Sequence, residues 1–173
     1  MGRLGNAGES HQSASAGERG AVLIEAALIS VLLLALLLGT VTAGIAYGRW
    51  NSLQGAAREA SRFGATLPVP AGGVDVWLSQ VRDVGKAAAI GDLDSAVPGQ
   101  YICVALLGPP GTPRGLVEAA GATTYNSSEC FSDGRPADES RVQVIVRRDT
   151  DLQAMFFSVN INLSGRAAAR FER

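Results

Sequence analysis

Hydrophobic and polar positions are spread unevenly along this chain, and their spacing divides it into four parts. Residues 1–20, MGRLGNAGESHQSASAGERG, mix Gly, Ser, Ala and scattered charge without apolar periodicity, which predicts an unstructured hydrophilic leader. Residues 21–48 are dominated by Leu, Ile, Val and Ala, and after Glu25 no charge occurs from Ala26 to Gly48. As a helix that uncharged run would reach about 34 Å, against a bilayer hydrocarbon core of about 30 Å. A membrane-spanning helix is predicted. In residues 49–67 the pattern changes: Trp50, Leu53, Ala56, Ala57, Ala60, Phe63 and Leu67 recur at steps of three and four, while Arg58, Glu59 and Arg62 fall elsewhere on the wheel. The helix is therefore expected to continue as an amphipathic rod, ended by Pro68 and Pro70.

Residues 68–173 read as a small α+β domain. Val74, Trp77, Leu78, Val81, Val84 and Ala88 form a second helical stripe, bounded by Gly72, Gly73 and a turn-rich stretch from Gly91 to Gly99. Tyr101–Leu107, Val142–Val146 and Val159–Phe171 are the strand candidates. In the second, Val142, Val144 and Val146 alternate with Gln143, Ile145 and Arg147; in the third, Ile161, Leu163, Gly165, Ala167 and Ala169 share one parity. About three antiparallel strands covered by the second helix are the economical arrangement. The stretches GPPGTPRG from Gly108 and NSSECFSDGRPADES from Asn126 are dense in turn formers and predict surface loops, where partner specificity would sit.

Composition narrows the chemistry. Fifteen Lys plus Arg against sixteen Asp plus Glu leave no basic excess to draw the chain to nucleic acid. The one histidine, His11, lies in the leader and the one lysine is Lys86; no GxSxG elbow, phosphate-cradling loop or zinc spacing occurs. Asp92 with Asp94 and Asp149 with Asp151 lack a full calcium-loop pattern and read as solvated turn residues. The Asn126/Ser128 and Asn162/Ser164 sequons carry little weight. The chain is not expected to be an enzyme, nor to need a metal, a cofactor or a small-molecule substrate. Cys103 and Cys130 are either a disulfide, favoured in an oxidising compartment, or two buried thiols.

Tyr47, Arg49 and Trp50 mark the far end of the span, where amphipathic rings and cations prefer the headgroup boundary. Gly44 with Gly48, and Ala35 with Gly39, have the small-residue spacing that lets helices approach closely in lipid. Arg3 and Arg19 before the span against Arg49, Arg58 and Arg62 after it give no orientation from charge. A cleavable secretory signal ending at Val41, Thr42 and Ala43 is the competing reading of the apolar block, but its apolar run exceeds the usual 7 to 15 or so residues. Glu25 alone is out of place. It either caps the helix start, where a negative charge complements the helix dipole, or needs a partner in the membrane.

The string Glu18, Arg19, Gly20, Ala21, Val22, Leu23, Ile24, Glu25 resembles the processing site of type IV pilins and pseudopilins, in which a hydrophilic leader ends in Gly and the apolar helix carries Glu at its fifth position. The following Gln54, Ala56, Ala57, Arg58, Glu59, Ala60, Arg62 and Phe63 narrow it: residues 17–66 resemble the TadE-like minor pseudopilins of tight-adherence (Tad, or Flp) pili. Where that family often has Phe or Tyr after the Glu, this chain has Ala26. The resemblance implies cleavage by a prepilin peptidase between Gly20 and Ala21. It implies a single-pass protein of the cytoplasmic membrane with its carboxyl-terminal domain outside the cytoplasm. It also implies other pilins, pseudopilins and the pilus secretion machinery as partners. The other reading is a signal-anchored envelope protein whose outer domain binds a ligand or partner.

Overall fold

The computed structural model describes residues 11–69, 73–108, 114–126, 129–136, 138–154 and 157–171. Its dominant element is α1, His11–Thr66, one unbroken helix of 56 residues. The leader was expected to be unstructured to residue 20, yet the helix begins at His11. A long nucleated helix propagates into adjoining residues at little cost, and Gln12, Ala14, Ala16, Glu18 and Arg19 accept it. From Ala21 to Val41 every residue is exposed; burial begins at Ala46 and is complete at Leu53, Ala56, Ala57 and Ala60. The apolar span and the domain core thus share one helix. It stops just before Pro68, with Leu67 N–H still donating to the Phe63 carbonyl at 3.1 Å.

The second helix, α2 (Val74–Ala88), buries Trp77, Leu78, Val81 and Gly85, with Val74 and Ala88 packed at the core's margin. Gly85 replaces a side chain at the crossing of three elements. A Cβ there would lie 2.9 Å from Ile102 Cδ1 and 3.2 Å from Ala60 Cβ. The sheet has five strands where three were expected: β1 (Gln100–Leu107), β2 (Arg114–Ala119), β3 (Ala122–Asn126), β4 (Arg141–Ala154) and β5 (Phe157–Arg170), ordered β3-β2-β1-β4-β5 with all neighbours antiparallel. The β2–β3 hairpin went unread because its two-residue turn is Ala120-Gly121. Both residues take positive φ, 49° and 77°, the backbone that Asn-Gly or Asp-Gly would have advertised.

Both helices lie on one face of the sheet, α1 over β4 and β5 and α2 over β1 and β2. That face carries Ile102, Val104, Leu116, Val142, Val144, Val146 and Leu163. The alternation read into Val142–Val146 fails on the opposite face, where Arg141, Gln143 and Ile145 are as buried as the valines. A loop explains it. Cys103 is bonded to Cys130, Arg141 reaches Asp133 and the Pro136 carbonyl, and the Arg166 guanidinium sits 6.0 Å from the Phe131 ring, so described residues of 129–140 pack against this face. The loop expectation for Pro109–Pro113, the Ser128 sequon position, Pro70 and Gly72 lie outside the described residues.

Candidate membrane-anchoring and assembly site

The apolar half of α1 has no counterpart in the rest of the fold. Val22, Leu23, Ile24, Leu28, Leu32, Leu36 and Leu37 are each at least 59% exposed, a surface that water would not tolerate. By length and composition this helix can cross a membrane. Gly20, Ala21 and Glu25 all lie inside the continuous helix, so the predicted cleavage bond sits in helical backbone and not in an open loop. Glycine at that position lowers local helix stability by about 1 kcal/mol relative to alanine. Glu25 is exposed on the bare rod.

The four small residues expected to mediate helix packing do not form one patch. At about 100° per residue, Gly44 and Gly48 fall on the outward side of α1, in line with the exposed Gly55. A Cβ added at any of the three meets nothing within 4 Å. Ala35 and Gly39 fall about 180° away, on the side that further along carries Ala46 and Leu53 against the sheet.

The sheet domain is held to the rod by close approach. A Cβ at Gly165 on β5 would collide with the Leu53 carbonyl and come within 2.8 Å of Gln54 N. The Gln54 amide donates to the Ser164 carbonyl at 3.3 Å, and the Ser52 hydroxyl donates to the Ala89 carbonyl at 3.1 Å. Two buried ion clusters fix the loops. Between α2 and β2, the Glu118 carboxylate accepts from Lys86 Nζ at 2.7 Å and from the Ser95 hydroxyl, and lies 2.9 Å from Arg82 Nη1. Burial pushes the Glu118 pKa up, but the Lys86 and Ser95 hydrogen bonds and the Lys86 and Arg82 charges outweigh it, leaving it below the ordinary value. On the opposite face Arg141 Nε lies 3.0 Å from Asp133 Oδ2, off the hydrogen-bonding line, while Nη2 donates to Oδ1 at 3.1 Å. Asp133 is likewise lowered: burial opposes this, and the adjoining Gln143 amide, the Arg135 backbone N–H and the Arg141 and Arg135 charges override it.

Among the described residues no three His, Cys, Asp or Glu side chains converge on a metal position. The bond between Cys103 and Cys130 spans a Cα separation of 5.8 Å and ties β1 to the covering loop. The sequence shows the cysteines but neither ion cluster. The only trace of the first was a lone Glu118 in the apolar LVEAA string and a single lysine on the α2 stripe.

A bare apolar helix that also forms one wall of a small sheet domain fits a protein anchored in a membrane by a single pass. The family model described as TadE-like protein matches residues 20–62, which takes in Gly20, Glu25, the whole apolar run and the first buried turns of the domain. That family is a structural, pilus-associated one. No curated protein and no solved structure matches this chain.

Proposed function

We propose that this chain is a TadE-like minor pseudopilin that acts in assembly of a Tad/Flp-type pilus for adhesion. A prepilin peptidase cuts between Gly20 and Ala21 on the cytoplasmic side. The α1 helix anchors the product in the cytoplasmic membrane with the sheet domain outside, and the subunit then enters or caps the pilus. The observation that carries this reading is the family match over residues 20–62, which begins at the expected last leader residue and includes the acid five positions later. Glu25 has a physical role in it. A carboxylate in lipid costs about 2.5 to 3.5 kcal/mol near a helix centre and less near an end, and the ammonium freed on Ala21 of a neighbouring subunit offsets that cost. The pair would set how far one helix slides along the next, as buried polar residues set register in coiled coils.

Sequencing the amino terminus of the native protein tests the proposal. Ala21 is expected in cells with the peptidase, and the leader is expected to remain when the peptidase is absent or Gly20 is replaced by a bulky residue. Glu25→Ala should insert normally and impair assembly; pilus formation at the wild-type level by that variant refutes the register role. A mature start at Gly44 refutes the pilin reading altogether.

A further inference from the structure

The β4–β5 hairpin outruns the sheet. Strand β1 pairs with β4 only as far as Arg148, so residues 149–154 and 157–162 project as a two-stranded ribbon. Its two sides differ. On one, Asn162 donates to Asp149 at 2.6 Å and Asn160 to Asp151 at 2.9 Å. On the other, Thr150 faces Ile161 and Leu152 faces Val159, with the Ala154 and Phe157 pair next in register. This second side shares the parity of Leu163 and Gly165, which pack on α1, yet Val159 is 47% exposed.

The ribbon runs toward the apolar end of α1. Gly64 meets Val142, whose partner on β5 is Ala169, and Leu53 meets Gly165. Eleven helix residues, about 16 Å, therefore run beside four strand residues, about 14 Å, so helix and strand are close to parallel. Extending both from the Leu53 contact brings Val159 level with about Thr40 to Thr42, and the Ala154 and Phe157 pair level with about residues 35 to 38. Exposure along α1 agrees with this. Leu38, at 42%, is less exposed than the neighbouring leucines, and Thr42 and Ala46 are the first shielded residues on the sheet side. The sequence had placed the bilayer boundary farther on, at Tyr47 to Trp50, which would sink the Asp151 and Asn160 pair into hydrocarbon.

We infer that the projecting β4–β5 ribbon seats its apolar side, Leu152 and Val159, in the headgroup and acyl boundary of the membrane that α1 crosses, and that the hydrocarbon ends near Val41 and not at Gly48. Ala21 to Val41 then spans about 31 Å, matching a core of about 30 Å. The ribbon end dips about 5 to 10 Å below the boundary, the depth at which amphipathic surface elements lie. The Asp149 and Asp151 side stays at headgroup level. The lipid surface is thus a second contact of the outer domain, and it fixes how far the domain stands off the bilayer.

The inference rests on α1 being a bilayer span, and the test separates the two. Single nitroxides are placed at Leu32→Cys, Val159→Cys and Asn162→Cys in the full chain, disulfide closed, in phosphatidylcholine and phosphatidylglycerol vesicles. Collision with oxygen is compared with collision with a water-soluble nickel chelate. Val159 is exposed, so the substitution does not disturb the core. The expected result is nickel collision at Val159 well below that at Asn162, approaching but not reaching the Leu32 level, with Asn162 remaining water-accessible. A Val159 label that matches Asn162 while Leu32 stays in lipid overturns the ribbon inference and leaves the span. A Leu32 label open to nickel refutes the span, and the inference falls with it.

Discussion

Replacing Glu118 by Gln removes one charge from a site where two cations were brought together to meet it. The Glu118 side chain is 10% exposed, and the charges it neutralises, on Arg82 and Lys86, are 19% and 34% exposed. Removing one partner of a buried pair costs about 3 to 5 kcal/mol; here both cations can swing partly into water, which lowers the expected loss to about 2 to 3 kcal/mol. For a domain of this size the melting temperature should fall by about 10 °C or more. The assay is thermal unfolding of the full chain in detergent, followed by the near-ultraviolet signal of Trp77 in the core. The pH dependence gives a second, independent readout. Because the folded pKa of Glu118 is lowered, its contribution is fully present above the unfolded value of about 4.3 to 4.5 and is lost as pH falls through the folded value. Glu118→Gln should flatten that part of the acid limb and leave the share due to Asp133, which is lowered for its own reasons. A variant that melts within about 0.5 kcal/mol of the wild type, with an unchanged acid slope, refutes the reasoning.

Gly165→Ala should destabilise the domain by about 3 kcal/mol in denaturant titration, because the new methyl meets the Leu53 carbonyl and Gln54 N of the helix backbone, which cannot swing aside. Ala120→Asn should stabilise by about 0.5 to 1 kcal/mol in the same titration, since Asn accepts the positive φ that Ala120 bears at 49°. Replacing Cys103 and Cys130 together by Ala should cost about 3.5 kcal/mol for a loop of this length. Limited proteolysis should then cut the chain beside the exposed Arg135 faster than in the bonded protein.

What was readable in the sequence is what periodicity controls. The stripe from Leu53 to Ala60 and the α2 stripe each repeat a spacing that only a helix can bury on one side, the apolar block is marked by its uncharged length, and all three are helical. The sheet was half readable, because strands show alternation only when one face is wet. In β4 both faces are covered, by the helices and by the disulfide-pinned loop, so Ile145 and Gln143 carry no outward signal. Strand β2 holds a buried glutamate whose partners lie on α2, and nothing local announces that pairing. The end of β4 runs through Asp149 and Asp151, residues that read as a turn until Asn160 and Asn162 across the ladder answer the two aspartates.

In the proposed pilus subunit the continuity of α1 has a mechanical consequence. Leu53, Ala56, Ala57 and Ala60 are fully buried in the sheet domain, and the fully exposed apolar run ends at Val41, less than two turns before the first buried residue, Ala46. No glycine or proline break separates the two parts except Gly44 and Gly48, both of which remain helical. To tilt against its anchor, the domain would have to bend the helix or pull the core alanines away from Val142, Val144 and Val146. Uncovering Leu53 alone would forfeit about 1.5 to 3 kcal/mol of burial. A shift in helix register within a bundle, of the kind that the proposed Glu25 ion pair would select, would therefore be transmitted as a rotation and rise of the whole sheet domain, and its loops would be presented at heights set by contacts along the apolar run.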